Sequence, residues 1–456
     1  MDTAHYQHSQ SSYAYETMAS VDHAWLRMGT AVSPMVINAV MTFKTPVKHA
    51  QFQQRVMERF VSISRFQCRA GSGLVGDRWQ PCVIDSEYHF PIHSDHLDSD
   101  AELQQVATQF INQPLDDQRP LWRMLLITGF QHGSALVLRI HHAYADGMAL
   151  MKILLQLMDE GEMIRRFEQN QASASPPPVK NGWLQKLQPF LPGNGRWAET
   201  LSLVEELTTE LLKMGLSPGE ENVFKRPGLC GKKQLVWTPP LKLDEVKAIA
   251  KAQSAKVNDV LLSSATGAFR RYLKSIDQLT SWSELRTVVP VDLRSALRAP
   301  NLGNYFGLVF LSLPLSIEDP IERALVLKQR MQALKSSKQA WLVFQILQLS
   351  GYLPDIAEKE LIRLFSSKAS AVMTNVPGPA FPLHFIGSEL DQILFWVPQS
   401  GSIGVGVSIL TYNNRVQFGL MTDQQLIQTP QSIIECFNDE FEALLLETLM
   451  TLDWPT

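Results

Sequence analysis

The chain has 456 residues, of which 45% are apolar and 19% are charged, and its formal net charge is −4. This composition is typical of a globular protein and excludes wholesale disorder. No basic excess is available to follow a phosphate backbone, so we expect no nucleic-acid partner. A chain of this length exceeds the usual size of a single hydrophobic core, and two domains are therefore expected.

The N-terminal residues 1–20 are polar and lack the basic and apolar segments of a signal peptide, so we interpret them as a tail. The four cysteines are scattered without metal-ligand spacing and are too few for a disulfide framework, which favours a cytoplasmic location. The most apolar runs are far shorter than the ~20 residues of a membrane-spanning helix. Any contact with a membrane is therefore expected to be peripheral.

Residues 21–165 alternate strand-like and helical patterns and predict a first α/β domain. They include a strand at 135–140 and a helix that starts at Met148. Residues 166–240 are rich in proline and glycine, and we place the interdomain connection there. Within this connection, a short apolar and cationic patch at 183–191 suits either a lipid interface or packing on its own domain.

Residues 241–456 predict a second α/β domain. Helices are expected at 244–252 and 258–273. A final helix begins with Thr429 as N-cap and Pro430 in its first turn. Its apolar face is formed by Ile433, Ile434, Phe437, Phe441, Leu444 and Leu445.

The segment with the clearest chemical content runs from His141 through His142 to Asp146 and Gly147, between a predicted strand and a predicted helix. Reactive groups of α/β proteins tend to lie at such positions. Because successive strand residues point to opposite faces, only one of the two histidines can face a given cavity. An imidazole with an ordinary pKa of about 6.5 can take up a proton at neutral pH and return it. The segment therefore indicates acid–base chemistry.

Each of these residues also has a structural interpretation. The histidines can be one packed and one solvated residue, Asp146 a helix N-cap and Gly147 a turn residue. Joint metal ligation is disfavoured because the histidines are neighbours on a strand and no HExxH pattern is present. The chain also lacks a GxSxG elbow, a phosphate loop and a dinucleotide fingerprint. We therefore expect no metal and no permanently bound cofactor.

The segment from His141 to Gly147 matches the HHxxxDG signature of a superfamily that includes chloramphenicol acetyltransferase and peptide-synthetase condensation domains. Over nearly its whole length, the chain resembles the bacterial wax ester synthase/diacylglycerol acyltransferase family. The landmarks that carry this resemblance occur in family order at 21–26, 114–116, 119–122, 257–261, 289–294, 303–307, 374–379 and 408–412.

The resemblance implies two chloramphenicol-acetyltransferase-like α/β sandwich domains with an active-site channel at their interface. It implies transfer of a long-chain acyl group from acyl-CoA, as a substrate, to a fatty alcohol or a diacylglycerol, which yields wax esters or triacylglycerols. Peripheral contact with a membrane or lipid droplet is compatible with such substrates. Two alternatives are a related acyltransferase with a carrier-protein donor or an amine acceptor, and a non-catalytic lipid-binding homologue.

By the same resemblance, His142 is the general base, Asp146 braces the loop by pairing with an arginine, and His141 is structural. Arg65 and Arg294 are the candidate partners. Gly147 is expected to let the backbone turn close to the substrates.

Four further residues are candidates in the channel. Asn258 is expected either to contact the oxyanion or the alcohol, or to cap the following helix. Trp122, Asn375 and Pro377 are expected to shape the channel or the core.

Overall fold

A computed structural model describes the residues of this chain in the ranges 16–71, 77–166, 222–225, 228–280, 283–297, 302–352 and 354–451, together with residues 205 and 209. The patch expected at 183–191 and residues 1–15 of the expected tail lie outside the described residues.

The first half forms strands β1 (Glu16–Thr17), β2 (Val36–Phe43), β3 (Cys68–Gly71), β4 (Arg78–Pro81), β5 (Ile92–His93), β6 (Trp122–Phe130) and β7 (Gly133–His141). Its helices are α1 (Ser20–Met28), α2 (His49–Val56), α3 (Ser86–His89), α4 (Asp100–Ile111) and α5 (Gly147–Leu157). A π-helical turn (Met57–Val61) and a 3₁₀ turn (Ser64–Gln67) follow α2.

The second half contains strands β8 (Lys233–Trp237), β9 (Leu241–Lys242), β10 (Glu284–Asp292), β11 (Phe306–Pro314), β12 (Ala371–Pro377), β13 (His384–Phe385), β14 (Ser388–Trp396), β15 (Val405–Tyr412) and β16 (Arg415–Asp423). Its helices are α6 (Leu243–Ala252), α7 (Val257–Ser275), α8 (Arg294–Leu297), α9 (Pro320–Ser336), α10 (Gln339–Ser350), α11 (Asp355–Ser367) and α12 (Gln431–Thr451).

Two main sheets organise these elements and confirm the expected α/β class. The first has the strand order β13-β14-β2-β7-β6-β5. The second has the order β11-β10-β12-β15-β16-β8, with β9 also paired to β16. Every residue of β2 and of β7 is buried, since both faces of the first sheet are covered. None of the described helices is long and apolar enough to cross a lipid bilayer.

The helices expected at 244–252 and 258–273 appear as α6 and α7. The last helix, α12, packs along α7 and the second sheet, with Phe437 stacked on Phe418 at a ring-centroid distance of 3.8 Å. The face expected to be apolar is buried at Ile433, Ile434, Phe437, Phe441 and Leu444. The periodic apolar pattern therefore located these elements correctly.

The expected domain boundaries differ from the structure in three places. Strand β14 lies in the sequence of the second domain but pairs with β2 of the first sheet. Strand β8, placed in the connection 166–240, pairs with β16. Residues 16–20, placed in the tail, contribute β1 and the start of α1. Apolar strand sequences predict burial, but they do not specify which sheet provides the partner.

Candidate active site

A cavity of about 290 Å³ lies between the two sheets. The first sheet contributes the segment after β7 and the end of β14, and the second contributes β10, β11 and β12. Most of the wall is apolar, with few polar groups, as is typical of small-molecule sites. Its lining includes Trp25, His142, Asp146, Phe306, Leu308, Asn375, Pro377 and Phe395.

The two histidines face different cavities, as the alternation of side chains along β7 predicts. His142 lines the cavity between the sheets, whereas His141 lines a second cavity on the other side of the loop. The backbone N–H of Ala143 donates a hydrogen bond to Nδ1 of His141 at 3.2 Å. His141 thus holds the turn that presents His142.

The ring of His142 is fixed by packing and by its backbone. It stacks on the indole of Trp25 at a centroid distance of 4.1 Å and contacts the ring of Phe306 at 5.4 Å. Its backbone N–H donates to the carbonyl of Met35 at 2.7 Å. Its carbonyl accepts a hydrogen bond from the Asn304 amide at 3.1 Å. These contacts leave the imidazole little freedom to rotate.

Burial governs the protonation of this ring. It lowers the pKa of His142 to about 3, although the carbonyl of His142 and the Asn304 side chain act in the opposite direction. Within the part of the chain that the structure describes, Nδ1 of His142 has no hydrogen-bond partner. The imidazole is therefore neutral at pH 7, which is the state that a general base requires.

Asp146 connects the loop to the second half of the chain. Its Oδ1 accepts a hydrogen bond from the backbone N–H of Ala149 at 3.0 Å and caps α5. Its Oδ2 accepts one from Nη2 of Arg294 at 2.6 Å and one from the backbone N–H of Tyr305 at 2.9 Å. Of the two candidate arginines, Arg294 is therefore the partner of Asp146. The carboxylate of Asp146 therefore has both expected roles, since it pairs with an arginine and also caps the following helix.

Arg65, the other candidate, supports the same loop from another side. Its Nη1 lies 3.2 Å from a carboxylate oxygen of Asp22 and 3.3 Å from the carbonyl oxygen of Tyr144. The other oxygen of Asp22 accepts a hydrogen bond from the Asn304 amide at 2.8 Å. Asp22 and Asn304 thus form a buried network behind His142. The sequence alone does not mark them as site residues, although both lie in the landmark segments 21–26 and 303–307.

Gly147 is required by packing at the start of α5. A Cβ atom at this position would lie 2.5 Å from Cζ of Phe395, closer than non-bonded carbon atoms approach. Phe395 belongs to β14, the strand that crosses from the second half of the chain into the first sheet. The glycine therefore allows the loop, the helix and this strand to meet at the cavity.

Asn258 and Asn375 meet at the cavity wall. The side-chain amide of Asn375 donates a hydrogen bond to Oδ1 of Asn258. Asn375 lines the cavity, and Asn258 contacts the side chain of Asn375 from the first turn of α7. Lys256 is the N-cap residue of α7, and its backbone N–H donates to Asp259 at 3.0 Å. Asn258 therefore does not cap this helix.

The two remaining candidates lie in different environments. Trp122 is fully buried in the core of the first domain, where its indole N–H donates to the carbonyl of Phe66 at 2.8 Å. Pro377 lines the cavity at the end of β12. Trp122 is therefore a core residue and Pro377 a wall residue.

The fold and the site define a two-domain α/β acyltransferase with an HHxxxDG loop at the cleft between its domains. The sequence-family model of the wax ester synthase/diacylglycerol acyltransferase catalytic domain matches residues 18–261. The family model of the WS/DGAT C-terminal domain matches residues 302–445. The chain belongs to the wax ester synthase/diacylglycerol acyltransferase family, as the sequence landmarks predicted.

Among the relatives, the O-acyltransferase WSD of Acinetobacter baylyi is 24% identical over 450 residues, which cover 92% of this chain and 95% of that protein. A putative diacylglycerol O-acyltransferase of Mycobacterium tuberculosis is 26% identical over 368 residues, or 77% of each chain.

The solved structures confirm the expected two-domain fold. The wax ester synthase/diacylglycerol acyltransferase of Marinobacter aquaeolei superposes with a TM-score of 0.68 at 20% identity and covers 95% of this chain and 99% of its own. The first condensation domain of the calcium-dependent antibiotic synthetase superposes with a TM-score of 0.59 at 14% identity and covers 96% of this chain and 97% of its own. At these identities the likeness shows the fold alone.

Proposed function

We propose that this acyltransferase moves a long-chain acyl group from acyl-CoA to a fatty alcohol or a diacylglycerol. The observation that carries the proposal is the neutral, buried imidazole of His142, which lines an apolar cavity between the domains. The names of the relatives from Acinetobacter and Mycobacterium support alcohol and diacylglycerol acceptors. Acyl-CoA is a substrate in this scheme, and the reaction needs no resident cofactor.

In the proposed step, the imidazole of His142 removes the proton of the acceptor hydroxyl as its oxygen attacks the thioester carbonyl. The new C–O bond forms, the C–S bond breaks, and the imidazolium returns the proton to the departing thiolate. Attack is direct, because the described residues place no serine, threonine or cysteine in a hydrogen bond with the His142 ring.

The other residues have supporting roles in this proposal. The pair of Asp146 and Arg294 holds the loop across the domain interface and is a positioning device. In this proposal the side-chain amide of Asn375, which lines the cavity and hydrogen-bonds to Asn258, donates its second N–H to the developing oxyanion or to the alcohol. Such a donor is typically worth about 3–4 kcal/mol in the transition state.

The test is thiol release by the purified full-length protein with palmitoyl-CoA and either hexadecanol or a diacylglycerol. His142→Asn is expected to lower kcat by about 10²–10⁴-fold, because it removes the base. His89→Asn is the matched control, since His89 is also a buried histidine but hydrogen-bonds to the Trp122 carbonyl in the core. His89→Asn should retain activity at a temperature where it is folded.

Four outcomes would contradict parts of this proposal. Absence of thiol release with every alcohol would refute the activity, and residual activity of His142→Asn within tenfold of wild type would refute the base. An acylated serine or cysteine would refute direct attack. A preference for a carrier-bound acyl donor or an amine acceptor would favour the related acyltransferase reaction instead.

Peripheral contact with a membrane or lipid droplet is part of this proposal, because both substrates are lipids. Leu349, Tyr352 and Ile356 support it, since their apolar side chains are exposed near one another in sequence between the end of α10 and the start of α11. An exposed apolar segment of this kind suits the interfacial region of a bilayer.

A further inference from the structure

The second cavity, on the His141 side of the loop, has a volume of about 500 Å³. The α1–β2 connection, the end of α4 and the residues after it, and β7 line it from the first domain. From the second domain, Lys233 and Gln399 line it. None of the reaction steps proposed above uses this cavity.

Arg139 is the notable residue in its wall. It precedes His141 by two positions on β7, so both side chains lie on the same face of the sheet. Arg139 is only 1% exposed, and its Nε and Nη1 have no hydrogen-bond partner among the described residues. The aromatic ring of Phe110 lies 5.5 Å from the guanidinium. Burial lowers the pKa of Arg139 to about 10, so the group is charged at pH 7.

A buried charge without a counter-ion is costly, and such groups are normally paired. No carboxylate of the described part of the chain lies within ion-pair distance of Arg139. Lys233 also lines the cavity, but its ammonium group is 3.6 Å from the buried carboxylate of Asp423, which matches its charge. Asp117 lines the cavity only at an exposed position, where water screens it. One positive charge therefore remains unmatched inside the cavity.

His141 adds a hydrogen-bond donor to the same cavity. Because its Nδ1 accepts a hydrogen bond from Ala143, the neutral ring carries its proton on Nε2. Donor groups on Arg139 and His141 thus lie on one face of β7. The remaining wall is largely apolar and includes Leu26, Met35, Val36, Ile111, Leu115 and Leu121.

We propose that this second cavity binds the carboxylate of a free long-chain fatty acid, with Arg139 as its ion-pair partner and the Nε2–H of His141 as an additional donor. A single unmatched positive charge suits a monoanion better than the multiply charged phosphates of coenzyme A. The apolar wall suits an alkyl chain. The lining of this cavity differs from that of the cleft that contains His142, except for Pro398, which lines both.

The first experiment measures palmitate binding to the full-length protein by calorimetry. Arg139→Met is expected to weaken binding by about tenfold or more, because it removes a charge-assisted hydrogen bond. Arg415→Met is the control. Arg415 pairs with Asp391 and lies six strand positions, about 20 Å, from Met421, the residue of β16 that lines the cavity. Its substitution should change the affinity by less than about twofold, because it shares no partner with the cavity.

The second experiment compares ligands on the wild-type protein. Palmitate should bind at least about tenfold more tightly than palmitate methyl ester, which has the same chain but no charge. Equal affinities would overturn the proposal, as would unchanged palmitate binding by folded Arg139→Met. Displacement of a bound reporter by inorganic phosphate or coenzyme A, but not by palmitate, would assign the cavity to a phosphate and also overturn it.

Two features keep these tests decisive. Replacing a buried charge by an apolar side chain of similar length is often tolerated, and if Arg139→Met does not fold, the comparison of palmitate with its methyl ester still decides. His142→Asn should bind palmitate with wild-type affinity. A failure of acyl transfer and a failure of fatty-acid binding are therefore distinguishable.

Discussion

The ion pair between Asp146 and Arg294 should couple the stability of the active-site loop to the second half of the chain. Both side chains are almost fully buried, at 4% and 6% exposure. Asp146→Ala removes the α5 cap, worth ~1 kcal/mol, and leaves the Arg294 charge without its closest partner. Removal of one partner of a buried pair typically costs ~3–5 kcal/mol. We expect a total loss of about 4 kcal/mol. The cap contributes ~1 kcal/mol and the broken pair ~3 kcal/mol, the lower end of its range, because Arg294 retains Asp292 and the Gly303 carbonyl.

Arg294→Met should cost about 2–3 kcal/mol, since Asp146 keeps the backbone N–H groups of Ala149 and Tyr305. The double variant leaves no buried charge unpaired. Its loss should therefore fall short of the sum of the single losses by about 2 kcal/mol. The free energy of unfolding from denaturant titrations measures this coupling.

The rate of acyl transfer should also depend on the pair of Asp146 and Arg294. Each single variant should lower kcat while KM changes little, because the pair positions His142 without touching the reacting atoms, and the double variant should be no less active than Asp146→Ala. The half-exposed pair of Arg415 and Asp391 serves as control, with an expected coupling of about 0.2–1 kcal/mol. A coupling between Asp146 and Arg294 within about 0.5 kcal/mol of zero would refute the proposed brace.

Acid should destabilise the protein through buried neutral histidines. Burial lowers the pKa of His89 to about 4 and the pKa values of His141 and His142 to about 3. On acidification the histidines of the unfolded chain are protonated near pH ~6.5, before the buried histidines of the folded chain. The free energy of unfolding therefore has its full value above pH ~6.5 and falls towards pH ~4, by up to ~1.4 kcal/mol per pH unit for each histidine. Denaturant titrations at pH 7.5, 6 and 5 check this, and a flat profile would contradict it. Separately, the double variant Tyr352→Ser, Ile356→Ser should reduce co-sedimentation with phosphatidylglycerol vesicles, whereas Ile276→Ser, which changes an exposed isoleucine elsewhere, should not. If Ile276→Ser reduced co-sedimentation as much as the double variant does, the assignment of Tyr352 and Ile356 to a membrane contact would be wrong.

Local sequence patterns were sufficient to place the loop from His141 to Gly147 because it is one continuous segment. The strand before His141 and the helix after Gly147 follow from apolar periodicity and turn residues. Strand alternation separated His141 from His142 before any tertiary contact was known, and the two side chains do face different cavities.

Contacts between distant segments could not be predicted in this way. Asp146 and Arg294 are 148 positions apart, and both Arg65 and Arg294 were compatible with the sequence. Strand β14 reads as an apolar strand of the second domain, yet its partner is β2, more than 300 positions earlier. Strand sequences specify burial and alternation, whereas the partner depends on how the whole chain packs.

The sequence by itself therefore determined the α/β class, the family and the position of the loop, because these depend on residue types and spacings within short segments. Only the tertiary structure decided which arginine holds Asp146, why Gly147 must lack a side chain beside Phe395, and that Arg139 is a buried charge without a partner. Burial and pairing are properties of the environment, and that environment is assembled from segments far apart in the chain.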